Sequence, residues 1–136
     1  MKQLARILHV EDEPDIQAVA KLTLESIGGF TVLACSSGLE ALDKISGFAP
    51  DLVLLDVMML GLDGPATLVE MRKIPEFETV PIVFLTAKAQ SHDIDESLEL
   101  GAAEVVTKPF DPVTLCDQIN RIWARLRGGA EASAVS

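Results

Sequence analysis

The sequence predicts an α/β fold in a single domain: a (βα)5 doubly wound sheet of five parallel strands. Three observations lead there. Five short apolar runs alternate with five stretches of helical periodicity. Two of the runs, "DLVLLD" and "PIVFLT", are almost unbroken, which suits strands buried on both faces of a parallel sheet. The 136 residues, 49% hydrophobic and 24% charged, are enough for one packed core with an ordinary surface.

Strands are read at residues 5–10, 30–34, 51–56, 80–86 and 104–107. The first helix spans 14–27, with Pro14 in its first turn, Ile16, Val19, Ala20, Leu24 and Ile27 on one face, and Gly28-Gly29 as its stop. "SSGLEALDKISG" gives the second helix, with Ala41, Leu42 and Ile45 inward. The third covers 65–74, and the fourth 91–100, closed by Gly101. Asp111 caps a fifth, striped by Leu115, Ile119, Ile122 and Leu126. Residues 1–127 form the domain, and 128–136, "GGAEASAVS", read as a flexible tail.

Charge and composition narrow the function. A net charge of −10, from 11 basic and 21 acidic residues, disfavours direct contact with nucleic acid or an anionic membrane. Arg121, Arg125 and Arg127 cluster near the end, where a helix C-terminus favours cations. No run approaches the ~18 apolar residues of a membrane span, and no long apolar region follows the N-terminus, so a cytoplasmic protein is expected. Cys35 and Cys116 make no metal or redox motif and are expected as free thiols.

Doubly wound sheets bind ligands outside the carboxyl ends of their strands. Those ends read Glu11-Asp12, Cys35, Asp56, Thr86 and Lys108. Each has an ordinary explanation alone: acids start helices, Asp56 precedes a turn, threonine caps, and lysine is a common surface residue. Gathered in one crevice they make a site. Three carboxylates at one mouth repel unless something positive sits among them, and they suit a hard divalent cation such as Mg²⁺. Glu11, Asp12 and Asp56 then balance Mg²⁺ and Lys108, leaving room for a phosphoryl group. Asp56 is placed to attack phosphorus as a carboxylate nucleophile, with Lys108 neutralising the transferred oxygens and Thr86 donating a hydrogen bond. Glu13 and Asp15, in the same acidic stretch, start the first helix.

At these residues a family resemblance emerges. "VEDEPD", "LVLLDVMMLGLDG", "VFLTAKA" and "VVTKPFD" resemble, in order and spacing, the CheY-like receiver domains of two-component response regulators, over residues 4–127. The resemblance implies a flavodoxin-like strand order 2-1-3-4-5. It implies that Asp56 takes phosphate from a histidine kinase or histidine phosphotransfer protein. It also implies that Glu11, Asp12, Asp56 and the Met58 backbone carbonyl hold Mg²⁺, with Thr86 and Lys108 as the family's hydroxyl and lysine. It further implies a cis Lys108–Pro109 bond, an output partner on the face of the fourth helix, fifth strand and fifth helix, and Met58 and Lys88 beside the path of attacking water. Three departures stand out. Val105 occupies the family's switch-aromatic position, Leu60 stands where proline is common, and no effector domain follows, as in a stand-alone regulator or a receiver piece of something longer.

Two other readings remain. An aspartate-nucleophile Mg²⁺ phosphohydrolase needs a second acid two residues after the nucleophile, where this chain has Met58. A pseudo-receiver would use the fold without phosphorylation; the complete set of site residues argues against it, and Val105 keeps it in play. His9, inside the first strand, reads as packed, His92 as surface, and Trp123 as the edge of the core.

Overall fold

The computed structural model describes residues 3–87, 91–108 and 111–135. Strands β1 (Arg6–Val10), β2 (Thr31–Cys35), β3 (Leu52–Asp56), β4 (Ile82–Thr86) and β5 (Glu104–Thr107) alternate with helices α1 (Pro14–Ser26), α2 (Gly38–Phe48), α3 (Gly64–Arg72), α4 (Ser91–Glu99) and α5 (Pro112–Val135). A short 3-10 turn, Pro75–Phe77, precedes β4. The strands form one parallel sheet, as the sequence predicts, in the order β2-β1-β3-β4-β5 that the family resemblance implies. The chain steps to one side of β1 for β2 and to the other for β3, so a crevice opens between the ends of β1 and β3.

Strand periodicity divides the core into two layers. Leu8, Val10, Val53, Leu55, Ile82 and Phe84 face one side and meet Ala41, Ile45, Leu68 and Met71 of α2 and α3. Ile7, Leu52, Leu54, Val83 and Leu85 face the other and meet Leu24 of α1 and Leu115, Ile119 and Ile122 of α5. Every residue of β3 and β4 is buried, which explains their unbroken apolar sequence. Among the described residues no helix is long and apolar enough to cross a membrane.

Local chemistry fixes the ends of the elements. Asp51, read as the first residue of a strand, instead lies just before β3. Its carboxylate accepts the Ala5 N–H at 3.0 Å and the Arg6 N–H at 2.9 Å, anchoring the start of β1. Ser37 caps α2 by accepting the Glu40 N–H at 3.1 Å. That helix runs one residue past Gly47 and stops at Ala49, whose left-handed φ of 53° precedes Pro50. Asp111 caps α5 as expected, accepting the Val113 N–H at 2.9 Å. Arg72, at the end of α3, donates to the carbonyls of Phe77 (3.0 Å), Val80 (2.6 Å) and Gly101 (3.0 Å). One guanidinium thus ties the 3-10 turn and the segment after α4 to α3.

Three expectations need correction. On α1 the buried residues are Ala20 and Leu24, whereas Val19 is 51% and Ile27 60% exposed. Val19 lies about 100° around the helix from Ala20, off the buried row, and Ile27 sits past the last turn, where the chain bends through Gly28. The segment read as a tail continues α5 to Val135. Glycines 128 and 129 cost helix stability, but the alanines and glutamate that follow are strong helix formers. Arg121 and Arg125 therefore lie mid-helix, not in a last turn. Arg125 earns its place differently, pairing with Glu104 at 3.3 Å and donating to the Ala103 carbonyl at 3.2 Å, so that it fastens α5 to β5. Both cysteines are free and buried. His92's side chain and the Lys108–Pro109 bond lie outside the described residues.

His9 is fully buried in β1, and neither ring nitrogen has a hydrogen-bond partner among the described residues. Burial lowers its pKa to about 4, against 6.5 in the unfolded chain. Between those values the unfolded state binds the proton and the folded state does not, so stability falls as pH drops from about 6.5 to about 4. At 1.36 kcal/mol per unit this amounts to roughly 3 kcal/mol. We expect His9→Leu to remove that component when urea unfolding is followed from pH 7 to pH 4.5 in chelator. Parallel pH profiles for the two proteins would contradict it.

Candidate functional site

The parallel register brings the strand ends to one level. Val10 pairs with Cys35 on one side and with Leu55 on the other, so the residue after β1 stands beside the last residue of β3. That residue, Glu11, extends the ladder by donating its N–H to the Cys35 carbonyl at 2.9 Å, and its side chain is fully buried. Asp12 follows at the rim, half-buried, with its carboxylate 3.4 Å from the Leu60 N–H. Asp56 closes β3 at 4% exposure. Thr86 ends β4, is buried, and accepts the Lys108 N–H at 2.7 Å through its carbonyl.

Lys108 reaches back across the sheet. Its Nζ lies 2.7 Å from Glu11 Oε1 and 3.2 Å from Asp56 Oδ2, with only 15% of its side chain exposed. Glu11, Asp12 and Asp56 each offer a carboxylate oxygen, and the three lie within 4.8 Å of one another. Burial is the largest influence on Glu11 and raises its pKa, the negative charge of Asp56 adds to that, and the hydrogen bond from Lys108 opposes it. For Lys108 burial works against the charged form, yet the hydrogen bond to Glu11 and the charge of Asp56 outweigh it and raise the pKa. Three carboxylates and one ammonium leave two negative charges in the crevice. The donors are all hard oxygens, and the missing charge is that of one divalent cation, so the residues fit Mg²⁺.

The loop after β3 is held close to the phosphoacceptor candidate. Gly64 donates its N–H to the Val57 carbonyl at 3.0 Å, and a Cβ added there would stand 2.5 Å from the Asp56 carbonyl oxygen. No side chain fits. Asp63 caps α3 through the Ala66 N–H at 2.9 Å. Met58 and Leu60 project outward, 60% and 90% exposed, beside a cleft of about 540 Å³ that Asp12, Glu13 and Asp63 also line. Glu13 caps the start of α1 by position alone, making no side-chain cap bond, and Asp15 lies in the first turn.

The structure therefore gathers Glu11, Asp12, Asp56 and Lys108, and sets Thr86 on the neighbouring strand. Cys35 contributes its carbonyl; burial pushes its thiol up to about 11, which leaves it protonated and inert. Val105, half-buried on β5 beside Phe84, packs into the α2/α3 layer of the core. Lys88 lies outside the described residues. Sequence reading missed Gly64, although the "LDGPAT" stretch, with its capping aspartate and proline, marks a helix start. It also missed Gln17, whose side chain meets the ends of β1 and β2.

Over residues 7–120 the chain matches the family model of the response regulator receiver domain. It is 40% identical over 125 residues to the transcriptional regulatory protein CseB of Streptomyces coelicolor, covering 92% of this chain and 52% of that one. It is 38% identical over 128 residues to the alkaline phosphatase synthesis transcriptional regulatory protein PhoP of Bacillus subtilis, covering 94% of this chain and 52% of that one. Among solved structures, the chemotaxis response regulator CheY4 of Vibrio cholerae matches with a TM-score of 0.82 at 28% identity, over 88% of this chain and 99% of that one. The chain spans about half the length of the curated relatives it matches. Those relatives carry the names of regulators, not of turnover enzymes.

The buried charges make a stability test. Lys108→Met strands Glu11 and Asp56, and should cost about 3 kcal/mol in the cation-free protein, the lower end for an uncompensated buried charge. Adding Glu11→Gln removes one stranded carboxylate and should recover much of that loss. Urea unfolding in chelator measures both. Simple addition of the two single-mutant effects would mean the groups are not linked.

Proposed function

The chain belongs to the response regulator receiver domain family, and we propose that it works as a phosphorylation-dependent switch with Asp56 as its phosphoacceptor. The observation that carries this reading is the meeting of Asp56 with Lys108 at 3.2 Å and with the carboxylates of Glu11 and Asp12 within 4.8 Å. A carboxylate nucleophile, an ammonium and an oxygen donor set suited to a divalent cation share one crevice.

The donor is a phosphohistidine on a histidine kinase or histidine phosphotransfer protein. An Asp56 carboxylate oxygen forms the new bond to phosphorus as the N–P bond breaks, and its electron pair leaves with the imidazole. Lys108 then turns from the Asp56 carboxylate to a phosphoryl oxygen, keeping its charge in place. Thr86 donates its hydroxyl to another. Glu11, Asp12, Asp56 and the Met58 carbonyl would hold Mg²⁺, which would supply neutralising charge at the phosphoryl oxygens. Aspartate is the residue for this because a carboxylate is ionised at neutral pH and yields an acyl phosphate, labile enough to reset.

The signal leaves through the strand next door. Lys108 N–H is bonded to the Thr86 carbonyl, so a shift of Thr86 toward the phosphoryl group pulls on the start of the segment after β5. Val105 cannot relay that shift by swinging a ring, since a β-branched side chain is stiff at χ1. The backbone carries the coupling instead, to an output partner on the face of α4, β5 and α5. Both partners are proteins, which suits the acidic surface, and the setting is cytoplasmic.

An acyl-phosphate donor such as acetyl phosphate should phosphorylate wild type only when Mg²⁺ is present, adding one phosphoryl group to the intact mass. Asp56→Ala should gain none. Equal labelling of that variant would move the acceptor elsewhere, and turnover of small phosphate esters would favour the hydrolase reading.

The switch should also be weak. Allosteric couplings run about 1–3 kcal/mol, and without an aromatic relay the lower end is expected, or about a fivefold to tenfold change in partner affinity. Amide NMR with beryllofluoride, a phosphoryl mimic, should move Thr86, Ala87, Val105 and Val106. Shifts confined to the neighbours of Asp56 would mean that the signal stops there.

A further inference from the structure

We propose that Gln17 is a positioning residue for the divalent-cation site: its side-chain amide fixes the peptide that joins Glu11 to Asp12. The proposal rests on the cation-dependent reading of the site given above. Gln17 lies in the first turns of α1, held by its own N–H to the Glu13 carbonyl at 3.0 Å. Its side-chain nitrogen Nε2 lies 3.0 Å from the Glu11 carbonyl oxygen, 3.1 Å from that of Cys35 and 3.4 Å from Ser36 Oγ.

These acceptors stand where the ladder between β1 and β2 runs out. The last backbone rung is Glu11 N–H to the Cys35 carbonyl at 2.9 Å. Beyond it, the Gln17 amide takes the place of a backbone donor, spanning the two strand ends with its two protons. The Glu11 peptide is thereby held on both sides, through its N–H by β2 and through its carbonyl by α1.

Planarity transmits the constraint. The Glu11 carbonyl and the Asp12 N–H belong to one rigid peptide unit. Pinning it sets ψ of Glu11 and φ of Asp12, and so the direction in which the Asp12 carboxylate leaves the backbone. Glu11 has separate restraints on its side chain, from Lys108 at 2.7 Å and from the Glu13 N–H at 3.3 Å. Among the described residues the Asp12 carboxylate has only the long contact to the Leu60 N–H at 3.4 Å. Repulsion from Glu11 and Asp56 pushes Asp12 outward when no cation is bound, and Gln17 resists that. Its loss should act on the cation through Asp12.

Removing an outer partner of a metal ligand costs about 10–100-fold in metal affinity, and a backbone-mediated partner belongs at the lower end. Gln17→Met keeps the length and the fit but donates nothing. Mg²⁺ titration followed by amide NMR should show about tenfold weaker binding, with the Asp12 amide displaced in the cation-free state. Phosphorylation by acetyl phosphate should need correspondingly more Mg²⁺ yet reach the wild-type rate at saturation. A general loosening of the fold would lower the rate at every Mg²⁺ concentration.

Gln17→Glu provides the second variant. It keeps the shape and adds a negative charge, which by attraction alone would tighten Mg²⁺ binding. Weaker binding in this variant too would assign the effect to the lost donor. Wild-type Mg²⁺ affinity in Gln17→Met, or tighter binding in Gln17→Glu, would overturn the positioning role. No Mg²⁺ binding by the wild type would instead overturn the cation-dependent reading beneath it.

Discussion

Three carboxylates cannot share a buried crevice without positive charge between them, and much of this fold is arranged around that constraint. Glu11 has no exposure to water, and Asp56 almost none. Lys108 answers both from the far side of the sheet, 97 residues along the chain from Glu11. For that contact the ends of β1, β3 and β5 must lie at one level, which requires the whole parallel register. Three carboxylates against one ammonium leave two negative charges even then. The two negative charges left over suit a divalent cation among these hard oxygen donors.

The sheet delivers these groups because its interior strands leave no choice. β3 and β4 are buried along their full length, so a slip of one residue would turn every side chain to the wrong layer. The position of Asp56 is thus set by four apolar residues before it, and that of Thr86 in the same way. The loop beyond Asp56 is set by contact: the absence of a side chain at Gly64 lets the start of α3 lie against the Asp56 carbonyl. Core packing and site geometry are one problem here, solved by the same residues.

Much of this was legible in the sequence. Apolar runs gave the strands to within a residue or two, and the alternation of elements gave the fold class. The candidate site residues announced themselves because polar groups directly follow buried strands. What escaped was what depends on distant partners. Asp51 reads as the first residue of a strand, and only the backbone of β1, 45 residues earlier, shows it to be an anchor. Val19 and Ile27 are apolar at plausible spacing, but the buried face of α1 is set by the helix's rotation on the sheet. Gln17 looks like any exposed glutamine until two strand ends converge on it. The arginines near the end read as a helix terminus because the small, polar "GGAEASAVS" after them reads as a tail, whereas α5 continues to Val135.

Arg72 has a mechanical consequence. Its guanidinium grips the Gly101 carbonyl on one side and the Phe77 and Val80 carbonyls on the other. The C-terminal end of α4 is further held where Ala103 N–H bonds to the Ile82 carbonyl at 2.8 Å. A helix moored at one end cannot slide along its axis without breaking those bonds. Arg72 is in that sense a rivet: α3, the 3-10 turn and the segment after α4 shift together or break its bonds.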